Sequence, residues 1–322
     1  MRFLSIRINI FLFIWFAFTP VFSLAQNDIS DAVEIQKKVL TKQPDNIRAL
    51  KEISFLNLHL ANYDEAIGWA EKLRELGYKT HDEEFAILYA HVALGQAYVM
   101  KGDNNKAYVN LDSAKIIAET HSNDSALCSV FNGLGLYAAN LETDYYRSIE
   151  YFFQGIEAAK RANHEQLHNI LLINISGIYY LMNDSVGLTY SLEAYERGHE
   201  ASNPYLIYAA STNTSYMYYL KGDYEKALQY IKEAEFLMKQ NDFYDQTNVF
   251  GLYGHILLAQ NKLDEALLYF EKAMDERDKA NTSSLVYALY GYARTWKAKN
   301  DTQRAIGLLN EALQLTHIYK QI

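Results

Sequence analysis

Tyr218-Tyr219-Leu220-Lys221-Gly222-Asp223-Tyr224-Glu225-Lys226-Ala227-Leu228, followed by Ile231 and Ala234, decides the fold. Apolar and small residues recur three and four apart on both sides of Gly222, the period of an α-helix. Glycine accepts the left-handed backbone that closes a helix, and Asp223 is placed to cap the next one. The stretch predicts helix, tight turn, helix. Ala227 falls five residues after the turn glycine, where the two helices of such a hairpin come closest.

The same turn recurs along the chain. Lys101-Gly102-Asp103 matches it residue for residue. Asn183-Asp184, Asn261-Lys262 and Asn300-Asp301 replace glycine with asparagine, which tolerates positive φ. Ala61-Asn62 is the weakest match. The residues following these turns form a ladder: Ala32, Ala66, Ala107, Ser148, Leu188, Ala227, Ala266 and Ala305, with steps of 34, 41, 41, 40, 39, 39 and 39. Such a period predicts a repeat array, in which each helix pair buries its apolar face only by stacking on its neighbours. One leading helix near 29–42 and seven helix pairs are expected. Ser148 and Leu188 depart from alanine, so the third and fourth pairs are expected to pack less regularly. The last helix, about 302–319, keeps an apolar face at Ala305, Leu308, Leu309, Ala312 and Leu313. That face calls for a further element or marks a shortened architecture.

The pattern resembles the tetratricopeptide repeat family. Leu94-Gly95, Tyr98, Ala107, Leu111 and Ala114 carry the likeness fully; Gly254, Leu257, Ala266, Phe270 and Ala273, and then Ala293, Trp296, Ala305, Leu309 and Ala312, repeat it. Pro44, twelve residues after Ala32, stands where the family often ends its second helix. The resemblance covers about residues 29–319 and implies an all-α, right-handed superhelical solenoid of antiparallel helix pairs. The longer period is similar to that of kinesin light chains, bacterial peptide-pheromone receptors and exported input regions of Gram-negative sensor kinases and transcription regulators.

Residues 1–25 stand apart. Arg2 and Arg7 precede an almost wholly apolar run over 8–25, ending in Ser23-Leu24-Ala25. This pattern predicts a secretory signal cleaved before Gln26, leaving the array over 26–322 and a periplasmic location. An uncleaved inner-membrane anchor over 8–25 is the alternative. The chain carries −9 in formal charge; the first 25 residues hold two arginines and no acid, so the mature form is near −11. That excess disfavours nucleic acid and suits solubility and, more weakly, a basic partner. The one cysteine, Cys128, lies in a helical apolar pattern and reads as core.

Few residues suggest chemistry. His164-Glu165-Gln166-Leu167-His168 has the two-histidine spacing of zinc proteases, placing both imidazoles on one helix face. The motif falls at an inter-repeat turn, with Asn163 as the expected helix cap and His164 at the first helical position; no third ligand is obvious, and the alternating helix direction allows His199 and Glu200 to return to the same rim. A zinc hydrolase is therefore the remote reading, and neither catalytic residue nor cofactor is assigned. In the family the first helix of each pair lines the concave groove. Carried over, that places Asn174, Tyr180, Asn213, Tyr216, Tyr219, His255, Tyr287, Tyr290, Arg294 and Lys297 in a groove. Asparagines there resemble those that clamp an extended peptide backbone, and tyrosines add flat apolar area with a polar tip. The expected function is non-catalytic binding of a protein or extended peptide. The alternative is the sensory input region of a membrane-anchored histidine kinase or transcription regulator.

Overall fold

The computed structural model describes residues 26–241, 243, 246–280 and 282–321. The signal or anchor expected over 1–25 lies outside the described residues. Fifteen α-helices follow in chain order among them: α1 Gln26–Lys42, α2 Ile47–His59, α3 Tyr63–Thr80, α4 Leu88–Lys101, α5 Asn104–Thr120, α6 Asp124–Asn140, α7 Tyr145–Arg161, α8 Glu165–Leu181, α9 Gly187–Glu200, α10 Pro204–Leu220, α11 Tyr224–Asn241, α12 Gln246–Ala259, α13 Leu263–Asp275, α14 Thr282–Ala298 and α15 Thr302–Gln321. A π-turn, Glu83–Ile87, leads into α4. This is the leading helix plus seven pairs. Each even-numbered helix packs on the odd one after it, and each odd one on the even helix of the next pair. Even helices also touch the next even helix, whereas no odd helix packs comparably on the next odd one. The stack therefore curves, with even helices on the inner wall and odd helices outside.

Left-handed residues set the turns. Gly102 and Gly222 take φ of 76° and 77°; Asn183, Asn261 and Asn300 take 56°, 59° and 67°, and Ala61 takes 58°. In each of these turns the next residue's N–H closes the helix on the carbonyl five residues back, as from Asp223 to Tyr218 and from Asp301 to Trp296. Asp103 then accepts from the Lys106 N–H at 3.1 Å, and Asp223 from the Lys226 N–H at 3.2 Å, satisfying donors that a helix start leaves open. Thr143 also turns at φ 53°, and between pairs His81, Ser122, Asn163 and Ser202 do the same.

Two sequence expectations shift by one residue. Asn163 is the left-handed turn residue, so His164 becomes the cap of α8, and its Nδ1 accepts from the Leu167 N–H at 3.4 Å. In the fourth pair the close-approach position belongs to Gly187, not Leu188. Gly187 is buried, and a Cβ there would lie 2.8 Å from both Met217 Sδ and Tyr179 Cβ. The cause is the tight turn at 184–186, where successive N–H groups reach back only three residues and bring the chain to its partner helix one position early.

The other rungs within pairs, Ala66, Ala107, Ser148, Ala227, Ala266 and Ala305, are all buried. Ala227 sits against α10, whose Ser215 Oγ donates to the Ala227 carbonyl at 2.8 Å. Ala227→Leu is therefore expected to overpack and destabilise by about 1–3 kcal/mol, read as a lowered urea midpoint. Cys128 lies in the core, where burial pushes its thiol up to about 12 and suppresses thiolate chemistry. No helix among the described residues is long and apolar enough to cross a membrane.

Candidate functional site

Curvature gathers side chains from four inner helices. Tyr180 of α8 and Tyr216 of α10 have ring centroids 4.5 Å apart. Tyr216 also lies 5.9 Å from Tyr287 of α14, a contact that skips a whole repeat. Tyr287 stacks on His255 of α12 at 3.9 Å, and Tyr219 stands 6.4 Å from the same imidazole. Beneath them Phe270, reaching in from α13, meets His255 edge-on at 5.4 Å. Tyr216, His255 and Tyr287 are buried; Tyr180, Tyr219 and Tyr290 are half-buried; Arg294 and Lys297 are exposed. Arg294 lies over the Tyr290 ring with its guanidinium carbon 5.6 Å from the centroid.

The local electrostatics follow from burial. His255 Nε2 lies 3.0 Å from the Tyr287 carbonyl, which can only accept, so Nε2 carries the proton. Burial, with Arg294 nearby, lowers the imidazole pKa to about 4, and the ring is neutral at pH 7. Burial raises the Tyr180, Tyr219 and Tyr287 phenols; Arg294 opposes the shift at Tyr219. All three stay protonated, and the Tyr287 hydroxyl is itself buried.

The asparagines expected in the groove have another task. Asn174 is fully buried, and its Nδ2 donates to Asn132 Oδ1 at 2.8 Å, joining α8 to α6. Asn213, half-buried, donates from Nδ2 to the Ile173 carbonyl and to Ser176 Oγ, both at 2.9 Å, joining α10 to α8. Gln96 reaches the Ser129 carbonyl at 3.3 Å, and Tyr216 donates to Asn248 Oδ1 at 2.7 Å. A polar seam thus ties successive inner helices. Asn132 and Asn248 were not singled out in the sequence, although Asn132 precedes Asn174 by about one period.

The two histidines of the zinc-like motif are also engaged. His168 Nδ1 accepts from Arg197 Nη2 at 3.0 Å, and burial with that cation lowers its pKa. Arg197 also pairs with Glu165, and His199 turns to Glu233 at 3.3 Å. Of the last turn of α9, Arg197 is the residue that contacts the motif, while His199 faces Glu233. No three His, Cys, Asp or Glu side chains among the described residues come together to hold a metal ion.

A second cluster lies on the inner side of the first pair. Lys51 Nζ of α2 stands 4.2 Å from the Tyr89 centroid, 5.4 Å from Phe85 and 6.0 Å from Phe55. Its signal is positional. Counting back from the carbonyl that closes each inner helix, Arg48 and Lys51 stand nine and six residues before Asn57, as Tyr287 and Tyr290 stand before Trp296.

No family model matches the chain, and no curated protein matches it. Solved structures do. A signal-transduction ATPase with a tetratricopeptide repeat sensor from Pyrococcus horikoshii superposes with a TM-score of 0.64 at 18% identity over 87% of this chain, which spans 43% of that ATPase. NprR in complex with its cognate peptide NprX gives 0.61 at 17% identity, covering 84% of this chain and 78% of NprR. A Rap protein complexed with competence and sporulation factor gives 0.61 at 14%, covering 92% and 97%. At these identities the likeness establishes a shared fold.

Proposed function

We propose that this tetratricopeptide-repeat solenoid is a non-catalytic module that binds an extended stretch of polypeptide along its concave wall. The observation that carries the reading is the convergence of half-buried Tyr180, Tyr219 and Tyr290 with exposed Arg294 on one inner surface built by α8, α10 and α14. Aromatic faces with polar tips, set on a rigid packed base, are the chemistry of peptide-binding surfaces. Phe270 and the seam of amides supply that base, so the wall is formed before any ligand arrives and little ordering cost remains. A similarly folded neighbour, NprR, is known bound to a peptide, which agrees with this use of the fold. The pattern over residues 1–25 supports export, so the ligand is sought in the periplasm.

The test is photo-crosslinking. A benzophenone side chain at position 290 should capture a bound peptide, and one at position 236, exposed on the outer helix α11, should not. Capture at 236 alone would place binding elsewhere. Tyr290→Ala is expected to weaken the captured peptide by about 1–2 kcal/mol, measured by calorimetry. A second reading, the sensory input region of a larger signalling protein, draws on the ATPase neighbour, in which the matching repeats form a sensor. The two readings share one ligand site and differ in what lies beyond this chain.

A further inference from the structure

Charge is segregated between the two layers of the solenoid. The outer helices carry the acids: α3 holds Asp64, Glu65, Glu71 and Glu75, and α13 holds Asp264, Glu265, Glu271 and Asp275. The inner helices α4, α10, α12 and α14 hold none. Elsewhere on the inner side, carboxylates sit mainly at the rim, where polar side chains of the outer layer and its turns meet them. Glu84 faces His121 at 2.9 Å, Asp124 pairs with Arg161 at 2.7 Å, and Glu165 pairs with Arg197. Glu52 of α2 remains as the one carboxylate among the described inner helices away from the rim.

The arginines show the reverse pattern. Arg74, Arg147, Arg277 and Arg304 all pair with carboxylates. Arg294 and Lys297 on α14, and Arg48 and Lys51 on α2, make no ion pair with a described carboxylate, and all four lie on inner helices. Arg294 and Lys51 rest instead against aromatic rings. Burial lowers the Lys51 ammonium pKa, and the neighbouring Glu52 carboxylate opposes that shift.

We infer that the inner wall selects an acidic polypeptide segment, with Arg294 and Lys297 facing its carboxylates beside Tyr219 and Tyr290, and with Arg48 and Lys51 as a second basic spot on the first pair. This rests on the peptide-binding reading above and gives the ligand a charge opposite to the one that net charge alone suggests. Distance decides between the two. A carboxylate in the groove would sit about 4 Å from an inner cation, whereas an outer carboxylate on the far side of its helix lies about 10 Å away, beyond one Debye length at physiological salt. The outer acids that reach inward, Asp64, Asp264 and Glu271, meet Lys101, Lys299 and Tyr292 and are not paired with Arg294 or Lys297. The wall therefore acts on a ligand through its own charges.

The experiment is selection from a random library of displayed peptides about 12 residues long, roughly 40 Å extended. It is followed by anisotropy titration of the selected peptides at low and high salt. Selected peptides should be rich in Asp and Glu. Their affinity should fall about tenfold in Arg294→Glu/Lys297→Glu, and the gap should narrow at 0.5 M salt. Lys160→Glu/Lys232→Glu, which makes the same charge change on outer helices, should leave affinity within about twofold. Arg294→Gln/Lys297→Gln gives an intermediate loss and guards against misfolding of the reversed variant, which circular dichroism also monitors. Selected peptides that are neutral or basic overturn the inference and leave concave binding standing, and equal losses in both double variants overturn it too. A library that yields no binder removes both readings.

Discussion

Phe270→Ala is expected to lower the free energy of unfolding by about 3–5 kcal/mol, the largest effect of any single truncation considered for this chain. The ring is fully buried and is shared by three helices. It projects from α13 onto Gly254 of α12 and Gly291 of α14. A Cβ built at Gly254 would stand 2.7 Å from Phe270 Cε1, and one at Gly291 would collide with the ring and reach 2.6 Å from His255 Nε2. Both glycines bring helix backbone directly against the ring, so its removal leaves a void walled by main chain. Packed helices do not close such a void, which puts the cost at the upper part of the range. In a solenoid the loss should also be local, because each pair touches only its neighbours. Hydrogen exchange should therefore accelerate in α12 to α15 while α4 to α7 keep their protection. A change below about 1 kcal/mol, or uniform exchange along the chain, would refute this view of Phe270 as the wedge between the last two pairs.

The repeat was legible because it is written in local chemistry. Gly102, Gly222, Asn183, Asn261 and Asn300 suit positive φ by residue type, and each marks its turn. Thr143, His81, Ser122 and Ser202 reach the same conformation against their preference, held by the packing of the helices on either side. Nothing at those positions announces the turn. The slip from Leu188 to Gly187 has a similar origin, since a turn tightened by hydrogen bonding moves a rung without altering the helical period. The inner stripe could be read from the period and the family resemblance, and the structure brings Tyr180, Tyr216, Tyr219, His255, Tyr287 and Arg294 together. Burial along that stripe could not be read. The approach of Tyr216 to Tyr287 across a whole repeat depends on superhelical curvature, a sum of small rotations with no signal in any one residue. The same curvature closes the inner helices over Asn174 and turns its amide toward Asn132.

Acid should loosen the last pairs of the stack through His255. The imidazole is neutral in the folded chain with a pKa of about 4, against an ordinary value of 6.5. Between those values the unfolded chain takes up a proton that the folded chain refuses, so stability is full above about pH 6.5 and falls as the pH drops toward 4. A separation of about 2.5 pH units corresponds to about 3 kcal/mol at the foot of that window. The burial that causes it is plain: the ring is 2% exposed, lies between Phe270 and Tyr287, and has the Arg294 cation nearby. Protonation would place a second positive charge among groups that offer one carbonyl and no carboxylate.

His91, His164 and His168 also have lowered values and act in the same direction, so the wild-type chain alone does not isolate the effect. His255→Phe does. A phenyl ring keeps the stacking on Tyr287 and the edge contact with Phe270 but loses the bond to the Tyr287 carbonyl, costing about 1 kcal/mol at every pH. The variant should therefore be the less stable protein at pH 7 and, by about 1–2 kcal/mol, the more stable one near pH 4.5. Denaturant midpoints at the two pH values measure this crossing. Parallel losses in both proteins would mean that the other histidines and the carboxylates carry the acid sensitivity, and that His255 accepts its proton more readily than its burial implies. A crossing confined to the exchange rates of α12 to α15 would place the effect on the three helices that carry His255, Phe270, Tyr287, Tyr290 and Arg294 and on α15 packed against them. Peptide affinity would then fall over the same pH window.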